Sequence, residues 1–140
     1  SSLNLAIIGM DDGFYADCMV RSSKNSAAED IFNQIYNIAE TNGAEAHHYI
    51  AFPAWEYREN SRLQAVAEET YFELFGKKAE VQLIHAGLEC GVIGSGIDGL
   101  ESISIGPDLW DVHTTEETLS VSSTYRTWQY VLKMIQNLSK

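Results

Sequence analysis

A tight turn near the start of the chain, Asp11-Asp12-Gly13, separates two strand-like stretches. Residues 3 to 10 before it are mainly apolar, and residues 14 to 22 after it alternate in character. An aspartate followed by glycine between two such stretches is typical of a β-hairpin. We therefore predict an antiparallel strand pair, with Arg21 at the end of the second strand on its more polar face.

A helix and a further strand are predicted to complete this first part of the chain. Ser26 and Glu29 have the spacing of a capping box, and apolar residues then recur at helical spacing until Thr41-Asn42-Gly43. Residues 44 to 52 have the character of a third strand. The order strand, strand, helix, strand (β-β-α-β) predicts a small open-faced α/β sandwich, in which helices cover one face of a sheet.

The periodicity lapses over residues 53 to 60, which are charged and aromatic and contain one of the 2 prolines. We predict a boundary between two structural units there. The second unit is predicted to begin with a helix that is capped by Asn60 or Ser61 and ends at Gly76. Strands over residues 79 to 84 and 100 to 105 follow, with a helical turn between them.

A final helix is predicted to start at Ser122 or Ser123. Its predicted inner face consists of Tyr125, Trp128, Val131, Leu132, Ile135 and Leu138. Helices alternating with strands indicate a mostly parallel α/β layer. Two strands are few for so much apolar helix, so we expect partner strands to be missing.

The length of 140 residues suits one domain, or a small domain with part of another. No apolar run approaches the roughly 20 residues of a membrane span, so we expect a soluble globular protein. The net charge of −11 argues against a nucleic-acid surface. It indicates solubility or, alternatively, an electronegative cleft that concentrates cations.

The 2 cysteines are too few and too far apart for a disulfide framework, so a reducing cytoplasm is the expected compartment. The chain begins Ser1-Ser2-Leu3, without Met or a charged leader. We expect no signal peptide, and a start inside a longer protein.

Two loops after predicted strands carry the residues best suited to chemistry. The first loop contains His85, Gly87, Glu89, Cys90 and Gly91. Its glycines would let backbone N–H groups approach a ligand, or they simply meet the needs of a tight turn. Cys90 as a nucleophile would need a low-pKa thiolate and an orienting group. His85 is either a hydrogen-bonded structural residue or a ligand.

The second loop places His113 among acidic residues, namely Asp108, Asp111, Glu116 and Glu117. This imidazole could bind zinc or another divalent metal, or be an ordinary loop residue. A catalytic zinc needs about three protein ligands, and no spacing here supplies them. His47 and His48 are adjacent in a predicted strand and point to opposite faces, so they cannot grip one ion together. Arg21 could hold a ligand carboxylate or make a surface ion pair.

Four runs in the second half, residues 81 to 91, 103 to 108, 111 to 117 and 119 to 121, resemble the C-terminal end of bacterial aminoacyl-histidine dipeptidases. These enzymes, also called peptidase D or Xaa-His dipeptidases, are carnosinase-like members of the di-zinc exopeptidase superfamily. Residues 2 to 5 and 20 to 23 resemble the second half of that family's lid domain.

The resemblance implies that residues 1–56 form the second half of a lid and dimerisation domain, and that residues 57–140 form the C-terminal segment of the catalytic domain. It implies that His113 is the last zinc ligand and that Arg21 holds the carboxylate of the substrate. Gly87 would make a backbone contact to the substrate, and Glu89, with His85, would lie at the rim of the pocket. Thr114-Thr115 stands where relatives usually have Ser-Pro.

The resemblance also implies a function, that of a zinc-dependent dipeptidase hydrolysing Xaa-His dipeptides. Two zinc ions, or other divalent metals, would serve as cofactors, and a homodimer is expected. The other zinc ligands, the general base and the lid histidine lie upstream of Ser1 in relatives. We therefore expect no catalytic residue in this chain and no activity of the chain alone. The alternative is a non-catalytic dimerisation or ligand-binding module that associates through an exposed sheet edge.

Overall fold

A computed structural model describes residues 1–49, 52–85 and 89–140. Its elements, in chain order, are β1 (Ser2–Met10), β2 (Phe14–Arg21), α1 (Asn25–Thr41), α2 (Arg62–Phe75), α3 (Glu89–Gly96), β3 (Leu109–Trp110), β4 (Thr118–Leu119) and α4 (Val121–Leu138). The chain divides into two compact units, a first unit of residues 1–57 and 82–99 and a second unit of residues 58–81 and 100–140. The predicted α/β class is confirmed, while the assignment of the chain to lid and catalytic domains stays a prediction.

The predicted hairpin is present, with β1 and β2 antiparallel and a turn in which the Asp11 N–H donates to the Gly13 carbonyl at 3.1 Å. The register shifts between Leu5 and Ile7, so Ala6 is an extra residue in β1. Before the bulge, the odd-numbered residues Leu3 and Leu5 lie on one face of β1, and after it the even-numbered residues Ile8 and Met10 lie on that same face. One face of the hairpin therefore collects eight side chains, those of Leu3, Leu5, Ile8, Met10, Phe14, Ala16, Cys18 and Val20.

The other face of the hairpin carries Arg21, together with Met19, Asp17 and Tyr15, as the alternation of β2 predicts. Tyr15 lies opposite Gly9, and its ring occupies the space where a side chain at Gly9 would lie. Side chains on both faces are largely exposed within the chain.

α1 begins without the predicted capping box. Its N-cap residue is Lys24, which makes no side-chain cap hydrogen bond. Instead the Glu56 carboxylate accepts from the Asn25 N–H at 2.9 Å, and the Asn25 side-chain oxygen accepts from the Ala54 N–H at 2.9 Å. The prediction based on Ser26 was wrong because the acceptor comes from a residue far away in the sequence. The helix ends at Thr41 with Asn42 as its C-cap, within the predicted stop at residues 41 to 43.

The three strands predicted after α1 are not formed in the described residues. Residues 44 to 49 have no regular structure, residues 50 and 51 lie outside the described ranges, and residues 79 to 84 and 100 to 105 form no strand. A strand needs a neighbour to exchange backbone hydrogen bonds. Both sheets in the described part of the chain are two-stranded, so these segments have no such neighbour there.

In the second unit, α2 and α4 form a pair with a small core. Ser61 caps α2 by accepting from the Gln64 N–H, and Gly76 ends it with a φ of 65°, as predicted. The core consists of Ala67, Tyr130 and Met134, with Leu63, Val66, Tyr71, Phe75, Ile103 and Leu138 packed around it. The Tyr130 hydroxyl donates to the Ala67 carbonyl at 2.9 Å, and burial raises the pKa of Tyr130.

The start and the inner face of α4 differ from the prediction. Ser120, rather than Ser122 or Ser123, caps the helix by accepting from the Ser123 N–H. The buried residues of α4 are Ser123, Tyr130 and Met134. The residues of the predicted inner face that are instead largely exposed are Tyr125, Trp128, Leu132 and Ile135. α4 is apolar on more than one side, so periodicity alone does not indicate which stripe packs on α2.

The chain exposes 10852 Å² of surface. A folded monomer of 15.6 kDa exposes about 7,300 Å², and two separate units of half that mass would expose about 8,700 Å². Large apolar side chains are exposed along much of the chain, among them residues of β1, β2, α3 and α4. The apolar surface of this chain is therefore only partly buried by the chain itself.

Candidate functional site

The first candidate loop leads into α3. His85 and Glu89 are exposed, and Glu89 is the first residue of α3. Gly87 lies outside the described residues, so its predicted backbone contact to a ligand stays a prediction. Neither the His85 side chain nor the Cys90 side chain forms a hydrogen bond or ion pair with another described residue. The described residues thus do not place Cys90 in a nucleophile–base pair.

Gly91 has a packing role in the structure. It is buried in α3, and a Cβ added there would lie 2.8 Å from the Pro53 carbonyl oxygen and 3.3 Å from the Trp55 nitrogen. A side chain at this position would therefore collide with the backbone of residues 53 to 55. The close approach of two backbone segments explains this glycine without a ligand.

His113 lies at the tip of a short hairpin formed by β3 and β4, which the sequence analysis did not predict. Leu109 pairs with Leu119, and Trp110 pairs with Thr118. His113 is exposed and has a φ of 67°. The Glu117 carboxylate accepts from the His113 backbone N–H at 2.9 Å, so the backbone of His113 is tied to the start of β4.

The base of this hairpin is attached to the start of α4. The Ser120 N–H donates to the Asp108 carbonyl at 3.0 Å, and the Asp108 N–H donates to the Ser123 hydroxyl at 2.9 Å. Arg126 forms an ion pair with the Asp108 carboxylate at 3.5 Å. Asp108 therefore belongs to the support of the hairpin rather than to the surroundings of the His113 ring.

The donor set in this chain does not fit a complete zinc site. Within residues 1–49, 52–85 and 89–140, no group of three or more His, Cys, Asp or Glu side chains could hold a metal ion. A catalytic zinc is held by about three protein ligands. The chain thus offers His113 as one imidazole of such a set, and no catalytic step through a metal can be derived from these residues alone.

Arg21, the predicted carboxylate-binding residue, lies at the end of β2 opposite Ser2. It is exposed, and it forms no ion pair with any residue that the structure describes. The described residues therefore provide no partner for the surface ion pair that was the alternative prediction for Arg21. Arg21 belongs to the first unit and His113 to the second.

The side chains of the adjacent residues His47 and His48 lie in different surroundings, as predicted, although these residues do not form a strand. His48 stacks on Phe32 with ring centroids 4.3 Å apart, and its Nδ1 lies 2.6 Å from the Tyr36 hydroxyl. His47 lies 3.7 Å from the Glu45 carboxylate, on the surface. His48 therefore attaches residues 44 to 49 to α1, and the pair does not form a metal site.

Two acidic residues have roles that the sequence analysis missed. Glu101 accepts from the backbone N–H groups of Arg62 and Leu63, at 3.1 and 2.9 Å, and so completes the cap of α2. These bonds, first the one from Leu63, lower the pKa of Glu101. Glu117 holds the His113 backbone. The sequence shows that both residues are acidic, but the distant N–H groups they bind appear only in the fold.

No helix in the described part of the chain is long and apolar enough to cross a membrane.

The chain resembles known dipeptidases in both sequence and structure, although no family model matches it. It is 28% identical over 139 residues to the cytosol non-specific dipeptidase of Escherichia coli K12. This alignment covers 99% of this chain and 29% of the relative. The crystal structure of aminoacylhistidine dipeptidase from Vibrio alginolyticus matches 96% of this chain with a TM-score of 0.82 and 25% identity, over 28% of that protein. The resemblance inferred from the sequence motifs is therefore confirmed, for a chain that spans less than a third of the length of either relative.

Proposed function

We propose that this chain is part of a metal-dependent dipeptidase. The observation that carries the proposal is the similarity over nearly the whole chain, in both sequence and structure, to two proteins named as dipeptidases. One of them is named for the cytosol, which supports a cytoplasmic location. The other is named for aminoacylhistidine substrates, which supports Xaa-His dipeptides as one class of substrate, while the first is named as non-specific.

Arg21 is the residue of this chain proposed to select the substrate. A guanidinium can donate two parallel hydrogen bonds to a carboxylate, and this geometry favours a free C-terminus over an internal peptide bond. The exposure of Arg21, and its lack of an ion pair with described residues, leave its donors available for such a ligand. Selection for a free carboxylate restricts the enzyme to short substrates. Gly87 would make a backbone contact to the substrate, and Glu89 would lie at the rim of the pocket.

His113 is proposed to supply one imidazole to a zinc ion, the cofactor that activates water and polarises carbonyl groups in such enzymes. The remaining ligands and the general base would come from parts of a longer protein, since the described residues of this chain do not contain a full set. The chain contributes a ligand and a substrate contact, and it is not expected to catalyse hydrolysis alone.

An assay of the purified chain tests whether groups needed for hydrolysis lie outside it. With added zinc and carnosine or another Xaa-His dipeptide, the chain alone should show no turnover above background. Robust hydrolysis that a chelator abolishes would contradict the proposal that essential groups lie outside the chain.

The role of Arg21 is tested in the longer protein encoded by the full reading frame. Arg21→Ala should lower kcat/KM for dipeptides by about tenfold to a hundredfold, which corresponds to the free energy of hydrogen bonds to a charged group. Arg21→Lys should restore part of the loss, because it keeps the charge without the fork. Lys24→Ala, a change of a nearby exposed cation, is the matched control. An equal effect of Arg21→Ala and Lys24→Ala would exclude a specific role for Arg21.

We also propose a second candidate function, a non-catalytic dimerisation module, which the exposed apolar face of the β1–β2 hairpin favours. Leu5 and Ile8 on this face are 54% and 58% exposed, and among the described residues no further strand pairs with the edges of the hairpin. Analytical ultracentrifugation of the chain should then show a concentration-dependent dimer. A single monomeric species at high concentration would count against this function.

A further inference from the structure

The tip of the β3–β4 hairpin holds two non-glycine residues in the left-handed region of backbone conformation. Asp111 has a φ of 52° and His113 a φ of 67°. This conformation is unfavourable for L-residues because the Cβ comes close to the following carbonyl oxygen. It persists where surrounding contacts compensate for the strain. The contacts of the tip therefore decide whether His113 keeps this backbone geometry.

Two side chains close the tip. The Thr114 hydroxyl and N–H donate to the Asp111 carbonyl at 2.6 and 3.2 Å. The Glu117 carboxylate accepts from the His113 N–H at 2.9 Å. The bond to Glu117 involves an ionised acceptor and is the stronger kind. It is also the bond that fixes the peptide unit from which the His113 side chain projects.

Glu117 holds His113 from a supported position. It directly precedes β4, whose Thr118 and Leu119 pair with β3. Ser120, which follows β4, is bonded to Asp108 and caps α4. The carboxylate therefore reaches from the anchored base of the hairpin to its strained tip.

We infer that Glu117 is a positioning residue that fixes the backbone of His113 and thereby the direction in which its imidazole leaves the hairpin. The inference rests on the proposed function in that His113 is taken as a metal ligand. Glu117 acts through the main chain, so both ring nitrogens of His113 stay available. Residues that orient a metal ligand commonly change metal affinity or activity by about tenfold to a hundredfold when removed.

The positioning role is measured first on the chain itself, by NMR of the His113 amide proton. Glu117→Ala should speed exchange of this proton by about tenfold, since the charge-assisted bond is lost. Glu117→Gln keeps an acceptor oxygen and should stay within about twofold of the unmodified chain. Glu116→Ala removes the neighbouring carboxylate, for which the structure shows no bond to His113, and should change nothing. An unchanged His113 amide in Glu117→Ala would overturn the inference.

The consequence for the metal is measured in the longer protein, as zinc content and as kcat and KM. Glu117→Ala should lower zinc affinity and kcat by about tenfold to a hundredfold with little change in KM, and Glu117→Gln should rescue both. Loss of zinc to the same extent in both variants would overturn the inference, because the carboxylate itself would then be the ligand. If the longer protein hydrolyses no dipeptide, the proposed function fails, whereas the amide measurement still decides the role of Glu117.

Discussion

The helix pair of the second unit and the hairpin of the first unit use their apolar residues in opposite ways. α2 and α4 bury Tyr130 and Met134 to 7% exposure, whereas the hairpin leaves Leu5 and Ile8 more than half exposed. Helices satisfy their backbone hydrogen bonds internally, so two of them can form a core with each other. A two-stranded hairpin has two faces and two open edges, and it needs another layer. The helix pair is therefore expected to be the part of the chain that depends least on external contacts.

The largest expected effect tests the core of the helix pair. Met134→Ala should lower the free energy of unfolding by about 2 to 5 kcal/mol, because it removes buried contacts and leaves a cavity. Ile135→Ala, one residue along α4 and 56% exposed, should change it by less than about 0.5 kcal/mol. Urea unfolding of the chain, followed by circular dichroism, measures both. Equal losses of unfolding free energy in the two variants would contradict the placement of Met134 in the core and of Ile135 on the surface.

The next effect concerns a close contact between two backbone segments of the first unit, at Gly91. Gly91→Ala should destabilise this unit by about 1 to 3 kcal/mol, because the added methyl group meets the Pro53 carbonyl oxygen at 2.8 Å. Gly94→Ala is the matched control in the same helix, with nothing within 4 Å of the added Cβ. It should stabilise α3 by about 0.5 to 1 kcal/mol. Urea unfolding followed by the fluorescence of nearby Trp55, in a background in which Trp110 and Trp128 are replaced by Phe, distinguishes them, and a stabilising Gly91→Ala would contradict the contact.

A smaller effect concerns the buried hydroxyl of the helix pair. Tyr130→Phe should cost about 1 kcal/mol through the lost hydrogen bond to Ala67. Because burial raises the pKa of Tyr130 above its ordinary value of 10.0, its contribution is complete below pH 10 and is lost as the pH rises through the folded pKa. The unmodified chain should therefore lose more stability above pH 10 than the variant does. Parallel losses in alkaline unfolding curves would argue against burial of this hydroxyl.

The smallest effect concerns the cap at the start of α2. Glu101→Gln should destabilise the second unit at pH 7, since the carboxylate accepts from Leu63 and Arg62. These bonds lower the pKa of Glu101 below its ordinary value of 4.5, so its contribution is present above pH 4.5 and is lost as the pH falls through the folded pKa. Thermal unfolding at pH 7 and pH 3 should show the difference between the two proteins shrinking at low pH. A difference that does not depend on pH would exclude the charged cap.

Local signals in the sequence predict much of the fold. The turn at Asp11-Asp12-Gly13, the cap at Ser61 and the end of α2 at Gly76 depend on neighbouring residues, and all three are found. Features that depend on distant partners are missed. The cap of α1 comes from Glu56, and the packed stripe of α4 is chosen by α2. Sequence pattern does not show which distant surface meets a helix.

The candidate site likewise combines features that the local sequence predicts with features that depend on the fold. The motif around His113 is visible in the sequence, but β3 and β4 contain 2 residues each, too few for an alternating pattern. The hairpin that presents His113 therefore appears only in the structure. The sequence analysis grouped Gly91 with Gly87 and left ligand approach and a tight turn as alternatives, whereas its close contact with Pro53 depends on a segment almost forty residues earlier in the chain.

The bulge at Ala6 determines which deletions β1 can accept. Leu3 and Leu5 share a face with Ile8 and Met10 only because Ala6 has no partner in β2 and does not count in the alternation. Deletion of Ala6 would remove the bulge, restore simple alternation and keep Ile8 and Met10 on the face of Leu3 and Leu5. A single-codon deletion at this position would thus shorten the strand without exchanging its faces. Loss of Ala6 should accordingly be tolerated more readily than loss of a residue that pairs with β2.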